Sequence, residues 1–433
     1  MAFPDRRDDN DAIDHGQQQA DSPSSHHMEF RHFPGLNGLR ALAALGVVGH
    51  HIEQARFLFG YPNLWQNFAI ARLGPLCVSF FFVLSGFLIT YLLLEEKRRR
   101  NTISISRFYA RRVLRIWPLY FFICLLGFFI VPLLPAYRVP GFPPDTDHFW
   151  AKLGLYLVFS PHVASALFPV TSSAGSTWNY AGVLWSVGVE EWFYLLWPWI
   201  ILLPNNKPKI TILTIIVTLV ACRSAAFYIV LHNISFSGLS ESFFESMLGF
   251  LTALRFDCMA IGAFGAYYLH RIERAGNFVR DIVFSRVGQA AVFLFLVRSL
   301  YCGSYFGYAD DIIYPLMFLY VIINTGSNPA AIVRFDGRFL DWLGKISYGL
   351  YCYNWLAIVT AISLLKATLP IDLSSSRVLM YGLALALTML FAQISYVSLE
   401  RPFLRIKRLF SGDRENGAPS FREKSSRKSV SLT

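Results

Sequence analysis

The chain returns again and again to apolar runs long enough to cross a bilayer. Residues 77–94, 113–134, 181–203 and 210–230 each approach or exceed the roughly 18 apolar residues that argue for a transmembrane helix. The composition agrees, with 54% hydrophobic residues and only 15% charged, against about 25% charged in ordinary soluble domains. The fold class expected is therefore all-α, a polytopic transmembrane helical bundle.

The formal net charge of +11 raises nucleic acid as a partner, but the basic residues are not placed for one. They gather in short segments between apolar runs, at 97–100, 107–115, 271–286, 334–345 and 401–408. That alternation is what the positive-inside rule expects of cytoplasmic loops. It predicts about ten transmembrane helices with both termini cytoplasmic, near 34–53, 76–94, 113–134, 181–203, 210–230, 249–270, 287–302, 312–325, 344–365 and 378–399. Residues 135–180 form the largest outer loop. Residues 1–30 read as a polar, disordered tail without the apolar core of a signal peptide, residues 31–405 as the membrane domain, and residues 406–433 as a basic disordered tail. The six cysteines stand singly in apolar segments, which points to small buried hydrophobes and to neither a disulfide framework nor a metal site.

Charges inside such a chain are expensive and mark candidate sites. The first helix, LNGLRALAALGVVGHHIE (36–53), holds Arg40 near its start and His50-His51 at its far end. Eleven residues at about 100° each return about 20° past three turns, so Arg40 and His51 share a face about 16 Å apart, while His50 points about 100° away. In FYARRVLRIWPLY (108–120), Arg112 and Arg115 are one turn apart and could grip a phosphate, and Pro118 is expected to bend the helix. Glu190 and Glu191 sit in an aromatic span, LWSVGVEEWFYLLWP (184–198), where only one can easily face a given pocket. Structural pairing with arginine is the other reading of them. Ser85-Gly86 suits close helix packing. Glu400 beside Arg401 reads as a solvated interfacial pair.

Taken in order, NGLR-x10-His, SFFFVLSGF, RRVLRIWP, WSVGVEEWFY, RFDCMAIGA, ISYGLYCYNW and SLERPF resemble the integral-membrane acyltransferase 3 family from about Pro34 to Phe403. The family contains bacterial O-acetyltransferases that modify lipopolysaccharide, exopolysaccharide, Nod factors and macrolides. The resemblance implies that Arg40 and His51 are its Arg-x10-His pair, Arg112 and Arg115 its Arg-x-x-Arg, and Trp185, Ser186 and Glu190 its Trp-Ser-x-x-x-Glu, which favours Glu190 over Glu191. The chain departs from the family pattern at Asn37, His50, Ser79 and Trp192, where Asp, Phe, Asp and Gln are usual, and at Asn354, where the family's Leu-Tyr-x-x-His element has histidine.

The implied function is an O-acyltransferase of the bacterial inner membrane that moves an acyl group from acyl-CoA, with acetyl-CoA the expected donor, to a hydroxyl of a glycan or glycolipid. Arg112, Arg115 and Arg40 would meet the donor. His51 would act as general base or acyl-carrying nucleophile, and Glu190 would orient the imidazole or bind the acceptor. Two other classes stay open: a transporter, which the lack of an internal repeat disfavours, and a catalytically silent sensor, to which Asn354 points.

Overall fold

With no water in hydrocarbon to satisfy a bare backbone, an apolar run must close its hydrogen bonds within itself, and these runs do so as helices. The computed structural model describes residues 33–142, 148–168, 179–232, 234, 241–274, 277–302, 306–370 and 376–407. Among them the regular structure is entirely helical. The two terminal tails expected at 1–30 and 406–433 lie outside the described residues, apart from Ile406 and Lys407 at the end of a helix.

The first three helices are α1 (Leu36–Leu58), α2 (Phe68–Arg100) and α3 (Ile105–Leu125). The outer segment then carries two short helices, α4 (Phe149–Leu157) and α5 (Pro161–Leu167). Next come α6 (Trp185–Leu202), α7 (Lys207–Leu231), α8 (Glu241–Leu254), α9 (Phe256–Arg274), α10 (Asn277–Val283), α11 (Arg286–Cys302) and α12 (Asp310–Ser327). The described chain closes with α13 (Arg338–Lys345), α14 (Ser347–Thr368), α15 (Arg377–Ser395) and α16 (Arg401–Lys407). Among the described residues, seven helices are long and apolar enough to cross a membrane. Helices α1, α6 and α12 fall outside that set, and all three carry ionisable side chains in their spans: Arg40, His50 and His51; Glu190 and Glu191; Asp310 and Asp311.

Several details differ from the sequence expectation. Helix α3 carries Pro118 inside it, where a bend was expected, and has a further irregular stretch that the sequence did not announce, a π turn over Leu126–Ile130. Of the six cysteines, all free, Cys124, Cys258 and Cys352 are buried, but Cys222 and Cys302 are exposed on α7 and α11. Those two helices turn most of their apolar surface outward, so in a bilayer these thiols face lipid rather than core.

Packing is tightest where α2 crosses α9. A Cβ on Gly86 would stand 1.9 Å from the Met259 carbonyl oxygen, and one on Gly262 would stand 2.0 Å from that of Val83. The two glycines therefore set the approach of the backbones from both sides, as small residues do between membrane helices. At the far end of α1, the fully buried Glu53 accepts from the Leu64 amide at 2.5 Å and from the Tyr381 hydroxyl at 3.0 Å. Arg56 donates to the Pro62 carbonyl at 2.9 Å. These bonds tie the end of α1 to the following loop and to α15, which fixes the turn bearing His50 and His51.

Gly86→Ala should force α2 and α9 apart. The expected penalty is about 1–3 kcal/mol or more, read as a lowered thermal midpoint in detergent. Gly382→Ala, whose Cβ meets nothing within 4 Å, should leave the midpoint in place.

Candidate functional site

Arg40 and His51 lie on one face of α1 but belong to two neighbourhoods, as a rise of about 16 Å between them requires. His51 lines a cavity of about 960 Å³ bounded by α1, α2, α8, α14 and the outer segment that carries α4 and α5. Its Nδ1 is 2.7 Å from Oδ1 of Asn354 on α14, and its ring centroid is 5.4 Å from that of Trp355. Asn354 is fully buried, and its Nδ2 donates to the Tyr351 carbonyl at 2.5 Å. The amide oxygen is thereby turned toward the imidazole. An amide oxygen only accepts, so the proton sits on Nδ1 and Nε2 keeps its lone pair.

Helical geometry set His50 aside, yet it lines the same cavity. Its Nδ1 meets the Ile70 carbonyl at 2.8 Å, and its ring packs 4.9 Å from Trp65 and 5.2 Å from His51. Gly74 makes room for it, because a Cβ there would stand 2.5 Å from the ring.

Toward the start of α1, Arg40 comes within electrostatic reach of Arg112, Arg115, Glu190 and Tyr194. Arg112 stands 5.8 Å over the Tyr194 ring. The Tyr194 hydroxyl donates to Glu190 at 3.1 Å and pairs with the Ser85 hydroxyl. Glu191 accepts from the Trp117 indole at 3.1 Å. Glu400, expected to be a solvated partner of Arg401, is instead buried in a π turn over Tyr396–Glu400 and senses Arg115. It is buried because that turn packs against α3. Three arginines thus face three glutamates. Among the described residues, none of the three guanidiniums closes onto a carboxylate within 4.0 Å, and Arg112 Nε is buried without a partner.

The structure therefore brings Arg40, Arg112, Arg115 and Glu190 together and gives His51 an amide partner rather than Glu190. The two neighbourhoods meet at Tyr351. Its side chain lines the cavity and lies within electrostatic reach of Glu190, and its hydroxyl accepts from Ser186 at 2.8 Å and donates to the Val183 carbonyl at 3.0 Å.

A third charged group went unassigned in the sequence. Arg255, between α8 and α9, lines the cavity and donates to Ser79 Oγ at 2.9 Å and to Asp311 at 2.7 Å. Arg223 of α7 stands 2.8 Å from Asp257 and 2.9 Å from Asp311. Arg255 has φ of 34°, a left-handed conformation that is rare for a side chain of this size. The RFDC element that contains Arg255 and Asp257 was visible, but nothing in it revealed partners on α2, α7 and α12. His162 of α5 also lines the cavity and carried no sequence signal. Among the described residues, no group of His, Cys, Asp or Glu is arranged to hold a metal ion.

A multi-pass membrane protein with a buried histidine cavity on one side and an arginine cluster on the other is the class these features define. The family model described as an acyltransferase domain matches residues 33–397, and the chain belongs to that family. Among curated relatives, it is 24% identical over 386 residues to a peptidoglycan O-acetyltransferase, OatA, of Listeria monocytogenes, covering 86% of this chain and 56% of the relative. It is 28% identical over 396 residues to the O-acetyltransferase OatA of Staphylococcus aureus strain NCTC 8325, covering 86% and 57%. A putative O-acetyltransferase of S. aureus strain COL is 24% identical over 410 residues, covering 87% and 58%. The chain spans little more than half the length of these relatives. No solved structure matches it.

The ionic group beneath Arg255 gives a stability prediction. Arg223→Leu leaves Asp257, which is fully buried, without its cation. Removing one partner of a buried pair costs about 3–5 kcal/mol, so the thermal midpoint in detergent should fall sharply. Replacing Asp257 by Leu in the same chain should restore much of it.

Proposed function

We propose that this chain is a membrane O-acyltransferase that moves an acyl group, acetyl above all, from acyl-CoA to a hydroxyl of a glycan. The observation that carries the reading is the His51–Asn354 hydrogen bond inside the cavity, because it leaves Nε2 as a base where a substrate hydroxyl can reach it. Family membership and the names of the relatives support acyl transfer and a glycan acceptor.

The arginine cluster supports the donor assignment. Arg40, Arg112 and Arg115 supply forked donors for the phosphates of a CoA nucleotide. The basic residues at 97–100 and at the start of α3 support a cytoplasmic position for this end, where acyl-CoA is made. On this reading the chain is a bacterial inner-membrane protein of ten spans with both termini cytoplasmic; the seven helices long and apolar enough to cross a membrane among the described residues support the multi-pass part of it. The pantetheine arm then runs along α1 toward His51, past Tyr351. At the thioester, Nε2 takes the proton of the acceptor hydroxyl as its oxygen bonds to the acyl carbon. The C–S bond breaks as the tetrahedral intermediate collapses, and the imidazolium returns the proton to the departing thiolate. The ester and free CoA are the products. Asn354 holds the tautomer throughout, and Glu190 positions Tyr194 and balances the arginines.

His51→Ala should abolish transfer of label from acetyl-CoA to glycan in membranes that contain wild-type amounts of protein. Full transfer by that variant would remove His51 from the mechanism. Asn354→Leu leaves the Nδ1 proton without its acceptor at a cost of about 1–3 kcal/mol, so kcat should fall about tenfold to a hundredfold. Arg112→Ala and Arg115→Ala each remove a charge-assisted contact worth about 1.5–3 kcal/mol. Each should raise the KM for acetyl-CoA by about tenfold to a hundredfold, with the glycan KM unchanged.

A further inference from the structure

His162 is 1% exposed and lines the cavity, and neither of its ring nitrogens has a hydrogen-bond partner among the described residues. A buried polar atom left unsatisfied costs about 1–3 kcal/mol, so a rigid segment that keeps two of them against a cavity calls for an explanation. The segment is rigid. Helix α5 begins at Pro161, and a Cβ on Gly188 of α6 would stand 2.6 Å from the Pro161 ring and 2.8 Å from the Phe159 carbonyl oxygen. The Ser165 hydroxyl donates to the Pro161 carbonyl at 3.0 Å. The His162 ring is clasped edge-on by Trp192 at 4.7 Å and near-parallel to Phe250 at 6.1 Å.

We propose that the outer half of this cavity is the acceptor subsite, where His162 hydrogen-bonds a hydroxyl of the glycan while a second hydroxyl stands at His51. This rests on the acyl-transfer reading for the role of His51, but glycan binding at His162 can be measured without it. Burial pushes the His162 imidazole down to about 4, so at neutral pH the ring presents one donor and one acceptor. A hydroxyl offers the complementary pair. Lys152, Glu245 and Ser165 also line the cavity with polar side chains, and Trp185 lines it with an aromatic one. A small number of polar groups set in an aromatic and apolar lining suits a sugar ring.

The test uses the full chain in detergent and, as probe, purified peptidoglycan glycan strands, with binding followed by tryptophan fluorescence and transfer followed with labelled acetyl-CoA. His162→Phe keeps the ring packing and removes both polar atoms, and it should weaken strand binding by about tenfold or more with the KM for acetyl-CoA unchanged. His162→Gln restores a donor and an acceptor and should bind within about threefold of wild type, the error of a single retained hydrogen bond. If His162→Phe does not fold, His162→Leu gives the same reading with a smaller apolar group. Unchanged binding by the apolar variant overturns the proposal, as does a wild-type chain that binds no strands, or a His162→Gln chain as impaired as His162→Phe. Wild-type protein that binds strands through His162 but transfers no label leaves this subsite standing and overturns the acyl-transfer reading instead.

Discussion

The hydrogen bond between His51 and Asn354 joins the two most consequential helices of the molecule, α1 and α14. Asn354 is fully buried, so its end of the bond is costly to leave unmade. It has two consequences. It pins α1 to the most buried part of α14, next to Trp355 and Tyr351, and it selects one imidazole tautomer. A carboxylate at position 354 would hold the same tautomer and add a buried negative charge. The amide orients the ring without that charge, and its own orientation is settled by the bond to the Tyr351 carbonyl.

A single helix cannot place a cation and an imidazole eleven residues apart within contact of each other, so the rest of the bundle builds a separate surrounding for each. Around Arg40 the neighbours come from α3 and α6, which contribute Arg112, Arg115 and Glu190, and Glu400 of the π turn after α15 stands within reach of Arg115. Around His51 they come from α2, α8, α14 and the outer segment. In a low-dielectric interior, three guanidiniums together would repel strongly without the three carboxylates. Glu190 and Glu191 are held by hydroxyl and indole donors, Tyr194 and Trp117, rather than clamped onto the arginines. The absence of such a clamp among the described residues is what the proposed binding of a polyanionic donor requires.

Periodicity and apolar run length made the helices legible, because membrane spans must satisfy their backbones locally. They also made Arg40, His51, Arg112, Arg115 and Glu190 visible as charges where charge is costly. The same polar load explains why α1 and α6 fall short of an apolar-length criterion even though they carry the site. What stayed hidden depends on contacts between distant parts of the chain. Asn354 read as a loss, because only the fold shows an amide 2.7 Å from the imidazole. Glu400 read as solvated, because the π turn that buries it has no sequence signature. His162 lies in an outer segment with no pattern, and Arg255 gains its meaning from Ser79, Asp311 and the Arg223–Asp257 pair.

The five departures from the family pattern bear on whether the site is maintained. A site in decay would leave buried donors and acceptors stranded, since nothing would hold their partners in register. Here each departing residue is engaged. Asn37 donates to Asp341 at 2.7 Å, where an aspartate would meet a like charge. Ser79 accepts from Arg255, His50 bonds the Ile70 carbonyl, and Asn354 bonds His51. Trp192 packs edge-on against His162 and so backs one residue of the cavity wall. Four of the five touch residues that line the His51 cavity or line it themselves, whereas Asn37 pairs with Asp341 away from it. The departures therefore gather around the His51 cavity, and a decaying site would not leave them so fully engaged.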